Sequence, residues 1–88
     1  MVEITDVRVG GYVGFNEKRR FPLEGYPKSE PVFLTVDSYG LYPVVAVDPD
    51  SETIQIGRDT GERSMTEPFS IGLIARYTTE NPQRKHSA

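Results

Sequence analysis

Apolar and polar residues alternate along several short stretches of the chain. The clearest is residues 67–78, EPFSIGLIARYT, in which every second position from Phe69 to Tyr77 is apolar or aromatic and only Ile74 breaks the pattern. Alternation with a period of two is typical of a β-strand with one buried face. We therefore predict a continuous strand here, with Pro68 at its entry, where a missing N–H does least harm.

The same alternation predicts four further strands, at residues 4–15, 31–37, 42–48 and 53–57. Gly10, Gly11 and Gly14 indicate a bend or a bulge in the first of these strands. Residues 38–41, SYGL, are predicted to form a turn between the strands at 31–37 and 42–48. Seven prolines and eight glycines interrupt the longer stretches, so we predict no helix.

Five short strands, with one long excursion at residues 16–31, predict a single all-β domain. We expect a small five-stranded antiparallel barrel over residues 1–79 and a disordered polar tail over residues 80–88. The order of elements resembles that of SH3-like barrels, whose first connection is also long. This resemblance concerns element order alone and implies no function. An OB-like barrel and a small β-sandwich remain alternatives.

Three acidic residues alternate in the stretch VDPDSETIQIG: Asp48, Asp50 and Glu52. A calcium loop of the EF-hand type would need glycine where Thr53 stands and a helix on either side, whereas the flanking stretches here predict strands. Asp48 is well suited to cap a tight turn, and Pro49 presets the backbone angle of its first corner. We therefore predict a β-hairpin turn and no metal site.

The composition excludes several kinds of chemistry. The chain has no cysteine, and its only histidine is His86 in the tail, so neither a Ser–His or Cys–His nucleophile nor a cysteine zinc site is expected. The net charge is −3, and residues 36–75 carry seven acidic side chains against two basic ones. An acidic domain is poorly suited to bind a phosphate backbone irrespective of sequence. We predict no cofactor.

Asp59, Thr60 and Gly61 resemble the catalytic tripeptide of aspartic proteases. The likeness ends there, because charged Arg58 and Glu62 flank the tripeptide where that family has apolar or small residues. We interpret the tripeptide as a loop turn, with glycine at a position of positive φ. A dimeric aspartic peptidase acting through Asp59 is kept as a remote alternative, and the prediction is that the protein is not an enzyme.

The excursion NEKRRFPLEGYPKSEP (16–31) is the strongest candidate for a recognition loop. Arginines supply forked hydrogen-bond donors, and aromatic side chains supply rigid contact surface. Together with two tyrosines at the next turn, the predicted binding residues are Lys18, Arg19, Arg20, Phe21, Tyr26, Tyr39 and Tyr42. A different interpretation stays open, in which the excursion folds back over the core and buries Phe21 and Leu23.

These observations favour a non-catalytic protein-interaction module: a subunit, adaptor or inhibitor, including an accessory protein of a virus or mobile element. The expected partner is another protein. The alternative is nucleic-acid binding, with Lys18, Arg19 and Arg20 on phosphates and Phe21 or Tyr26 stacked on bases. The first 20 residues hold no apolar run and no stretch is long enough to span a membrane, so we expect a cytoplasmic protein. The oligomeric state and the partner's identity stay open.

Overall fold

The computed structural model describes residues 2–57 and 65–80. Within them the chain forms seven short strands: β1 (Tyr12–Gly14), β2 (Arg19–Pro22), β3 (Phe33–Val36), β4 (Tyr42–Asp48), β5 (Thr53–Ile56), β6 (Phe69–Ser70) and β7 (Arg76–Thr78). Single turns of 3-10 helix at Ile4–Asp6 and Ile71–Leu73 precede β1 and β7. These residues contain no α-helix, which confirms the all-β prediction, and none of their helical turns has the length or apolarity to cross a membrane.

Five of the strands form one antiparallel sheet in the order β6-β5-β4-β1-β7, and β2 and β3 form a separate antiparallel hairpin. The longest strand, β4, pairs with β1 near its start, through Tyr42 and Pro43. It pairs with β5 from Val44 to Asp48. The register shifts between Val44 and Ala46, at the point where β4 passes from one neighbour to the other. β4 is therefore the strand that joins the two halves of the sheet.

The core is built around Phe15, which is fully buried directly after β1. The centroid of its ring lies 5.4 Å from that of Phe21 in the hairpin and 6.1 Å from that of Phe69 in β6. Aromatic pairs at such separations contribute packing energy beyond the area that they bury. Buried aliphatic side chains from the sheet and the hairpin surround these rings: Val13, Leu34, Val36, Val44, Ile54 and Ile56.

Residues 67–78 do not form one strand, contrary to the prediction. β6 ends at Ser70, whose hydroxyl accepts a hydrogen bond of 3.2 Å from the N–H of Gly72 and caps the 3-10 turn Ile71–Leu73. A 3-10 turn repeats every three residues, so Ile71 and Ile74 lie on the same side, and both are buried. Ile74, which broke the alternation, was the signal of this turn.

The strand predicted at residues 4–15 is also shorter than expected, since β1 begins only at Tyr12. Its first part forms the 3-10 turn Ile4–Asp6, and Gly10 then has a φ of 96°, which residues with a side chain rarely adopt. Val9 has the same place in the predicted alternation as buried Val7, yet it is 64% exposed. The glycines therefore indicated a bend correctly. The bend lies before β1 and separates it from the residues that precede it, whereas a bulge would have let one strand continue through them.

Two further predictions concern the turn after β4 and the excursion at residues 16–31. The hairpin turn after β4 is confirmed, because Asp48 pairs with Thr53 across it and the Asp48 Oδ1 accepts a hydrogen bond of 3.1 Å from the N–H of Asp50. The excursion at 16–31 is not a structureless loop, since β2 lies within it and pairs with β3. The predicted tail lies outside the described residues, apart from Glu80.

Candidate functional site

The β2–β3 hairpin turns one face to the core and one to solvent. Phe21 and Leu34 pair across it on the buried face, so the flanking pairs, Arg20 with Thr35 and Pro22 with Phe33, belong to the other face. On that outer face the Cζ of Arg20 lies 5.0 Å from the centroid of the Phe33 ring, a cation–π contact. Phe33 remains 38% exposed. Arg20 and Phe33 thus form one surface that is both cationic and apolar.

The buried face of the hairpin makes this surface rigid. The Phe21 ring stacks on that of Phe69 with a centroid separation of 4.2 Å and an interplanar angle of 22°. Leu23 and Phe21 are both buried, which agrees with the interpretation that the excursion folds back over the core. Phe21 was proposed as a contact residue, but it is a core residue that supports the outer face from below.

The three consecutive basic residues do not form one patch. The Arg19 Nη2 lies 2.6 Å from the Glu17 Oε1 in an ion pair, and Arg19 falls on the same side of β2 as Phe21. Lys18 and Arg20 are exposed. Because successive side chains of a strand point to opposite faces, Arg20 shares the outer face with Phe33 and Arg19 does not, while Lys18 lies before the start of β2. The cationic character of the surface therefore comes chiefly from Arg20.

The connection between β2 and β3 carries Tyr26, which is 46% exposed. Its start is tied to the segment before β6: the N–H of Glu24 donates to the carbonyl oxygen of Met65 at 2.8 Å, and that of Glu67 donates to the carbonyl oxygen of Pro22, also at 2.8 Å. These bonds attach the outer edge of β2 to the body of the domain. Tyr26 is thereby presented from a connection whose base is fixed.

Tyr39 stands at the tip of the turn between β3 and β4 and is 92% exposed. The Asp37 Oδ1 accepts hydrogen bonds from the N–H groups of Tyr39 and Gly40, at 2.9 and 2.7 Å. The Arg76 guanidinium donates to the carbonyl oxygens of Phe15 at 3.1 Å and of Ser38 at 2.8 Å. The turn therefore holds an exposed aromatic side chain on a well-bonded backbone.

Tyr42, the last predicted contact residue, has a structural role in this turn. Its hydroxyl accepts a hydrogen bond of 3.0 Å from the N–H of Asp37, and its ring lies 6.1 Å from that of Phe15. Gly40 lies directly beneath the ring, where a Cβ would come within 2.6 Å of the hydroxyl oxygen. Tyr42 is half-buried, so it braces the turn and offers little surface to a partner.

The acidic turn after β4 has its own electrostatic character. The Ser51 hydroxyl, followed by the N–H groups of Ser51 and Asp50, holds the pKa of Asp48 below its usual value. Residues 2–57 and 65–80 contain no group of three or more His, Cys, Asp or Glu side chains placed to hold a metal ion. Asp59, Thr60 and Gly61 lie outside the described residues.

Two residues important to this surface were missed at the level of sequence. Phe33 fits the alternation at residues 31–37, which already put it on the face opposite Leu34. An aromatic residue on an outward face was therefore the signal that the sequence offered for this contact residue. Arg76 lies 61 positions from Phe15, and no local pattern indicates that contact.

Comparison with profiles of known families, with curated proteins and with solved structures found no match to this chain.

Proposed function

We propose that the protein is a small, curled antiparallel barrel, SH3-like in element order, that acts as a non-catalytic protein-interaction module. The outer face of the β2–β3 hairpin, defined here as Arg20, Pro22, Phe33 and Thr35, is the contact surface. Tyr26, from the connection of the hairpin, and Tyr39, from the following turn, extend it. The expected partner is a protein with an acidic and apolar surface.

The barrel is supported by the connection between the two edge strands of the sheet. In a flat sheet of five strands, β6 and β7 would lie about 19 Å apart, at about 4.8 Å per strand. Only residues 71–75 join them, and three of these form a 3-10 turn that rises about 2 Å per residue. A link of this kind spans about 16 Å at most, from about 3.4 Å for each extended residue. The sheet must therefore curl toward closure.

The interaction role rests on one observation, the Arg20–Phe33 pair exposed on a rigid support. Arginine and aromatic residues are enriched at interfaces and contribute much of the binding energy there. The buried underside, with Phe21 stacked on Phe69, means that the surface is already organised before binding. Nucleic-acid binding has less support, since Arg19 is already paired with Glu17.

The test is capture of a partner by the immobilised full chain from cell lysate, with and without nuclease. The double variant Arg20→Ala, Phe33→Thr keeps a strand-forming residue at position 33 and removes the stacked pair. We expect it to lower capture at least tenfold, as for loss of a central contact of about 2 kcal/mol. The matched control is Lys28→Ala with Val9→Thr, which removes an exposed cation and an exposed apolar side chain outside the outer face.

Equal capture by the hairpin variant and by its control would disprove the proposed surface. Capture that disappears on nuclease treatment would assign the surface to nucleic acid. Because the earlier candidates Phe21 and Tyr42 are structural, variants at these positions test folding and should not be used to locate the interface.

A further inference from the structure

A separate cleft of about 450 Å³ opens beside the 3-10 turn that precedes β7. Its apolar lining comes from both ends of the described chain: Val2, Ile4, Ile71 and Ile74. The three isoleucines are each less than 10% exposed and belong to the hydrophobic core, so packing holds the walls in place. The volume lies within the range of about 300–1,000 Å³ that is usual for sites that bind small groups.

Two acidic residues, Glu3 and Glu52, also line the cleft, together with Thr5 and Gly72. Both are exposed, and within residues 2–57 and 65–80 neither side chain makes a hydrogen bond or an ion pair. The backbone of Glu52 has a φ of 54°, and its carbonyl oxygen accepts a hydrogen bond of 2.9 Å from the N–H of Ile71. The turn is thereby fixed against the wall of the cleft. No basic residue contributes to the lining among the described residues.

We propose that this cleft binds a lysine or arginine side chain carried by an extended segment of a partner protein. Such side chains have an apolar stem and a cationic head, and they place the stem on apolar surface while the head stays at the polar border. The isoleucines match the stem, and the carboxylates of Glu3 and Glu52 match the head. An anionic group would be repelled, and an uncharged apolar group would cover carboxylates without pairing them. The cleft shares no residue with the hairpin surface, so the proposal stands independently of it.

The test uses the full chain and the defined peptide acetyl-Ala-Lys-Ala-amide, followed by NMR through the methyl groups of Ile71 and Ile74. The matched peptide carries norleucine in place of lysine, which keeps the stem and removes the charge. We expect the lysine peptide to shift both methyl signals and the norleucine peptide to bind several-fold more weakly. Glu3→Gln and Glu52→Gln should each weaken the lysine peptide about threefold, and together about tenfold, as for exposed ion pairs. Glu67→Gln, an exposed glutamate outside the cleft, is the control and should leave binding unchanged.

Three results would overturn this proposal. The first is equal binding of the two peptides, which would make the cleft purely apolar. The second is equal binding by the glutamine variants, whose folding is checked by the unchanged methyl spectrum of the free protein. The third is a shift of the same methyl signals when the protein alone is concentrated, which would show that a second copy occupies the cleft.

Discussion

Gly14 shows how the absence of a side chain at one position leaves room for another side chain, that of Arg76, to reach its hydrogen-bond partners. It belongs to β1 and lies directly beneath the guanidinium of Arg76. A Cβ at position 14 would come within 2.5 Å of the Arg76 Nε. The absence of a side chain at this position is therefore what allows Arg76 to reach the carbonyl oxygens of Phe15 and Ser38 and to hold the turn that carries Tyr39.

We expect Gly14→Ala to lower the free energy of unfolding by about 1–3 kcal/mol, because the added methyl group displaces Arg76 from its hydrogen bonds. Urea denaturation followed by circular dichroism measures this change. The control is Gly72→Ala, since a Cβ there meets only the Ser70 hydroxyl at 3.4 Å and the φ of Gly72 is not positive. That substitution should be neutral or slightly stabilising. Equal losses for the two variants would contradict the role given to Gly14.

The stability of the β4–β5 hairpin should depend on pH through an identified group, the carboxylate of Asp48. The pKa of Asp48 is lowered in the folded protein, chiefly by the Ser51 hydroxyl. A carboxyl group whose pKa is lower in the folded state stabilises that state above its unfolded pKa of about 3.9. This contribution is lost as the pH falls through the lower, folded value.

The corresponding prediction concerns Ser51→Ala. Removing the hydroxyl should raise the pKa of Asp48 toward its ordinary value, and NMR titration of the Asp48 carboxyl carbon measures it directly. We also expect the variant to lose less stability than the parent chain between pH 5 and pH 2. An unchanged Asp48 pKa would show that the N–H groups of Asp50 and Ser51 are sufficient by themselves.

In the β2–β3 hairpin, the sequence predicted one part of the candidate site and left another part undetermined. The composition of residues 16–31 indicated a surface of arginine and aromatic residues, and such a surface exists around Arg20. Composition could not decide which aromatic ring faces solvent, because Phe21 and Phe33 stand on opposite strands with the same chemistry. The alternation at residues 31–37 put Phe33 on the outward face, but only the pairing of Phe21 with Leu34 directs Phe21 inward.

Across the whole molecule, the sheet and the hairpin share one core. Phe15 follows β1 of the sheet, Phe21 belongs to the hairpin and Phe69 lies in β6, and their rings are in mutual contact. Neither the sheet nor the hairpin can bury these rings alone. A two-stranded hairpin is marginal in water by itself, so its order depends on this contact. We therefore expect the hairpin and the sheet to unfold as one unit.

Native-state hydrogen exchange tests this expectation at the amides of Leu34 in the hairpin and Ile54 in the sheet. Both should open with the same free energy, equal to that of global unfolding. Phe21→Leu should lower both values together, by about 1.5 kcal/mol, because it reduces volume in the shared core. The control Thr35→Ser changes an exposed residue of the same hairpin and should leave both nearly unchanged. Earlier opening at Leu34 alone would mean that the hairpin is a separate unit.

The sequence by itself determined the all-β fold and the turn after β4, because alternation and turn chemistry are local properties of a few neighbouring residues. The glycines also indicated the bend before β1, whereas the continuous strand predicted through Ile74 was wrong. The tertiary structure decided which residues are available to a partner, since the pairing of Phe21 with Leu34 turns Phe21 into the core. It also decided that Arg76 holds the turn beside Tyr39 and that Ile4 meets Ile71 at one cleft. Such contacts join residues that are more than 30 positions apart, and no local pattern encodes them.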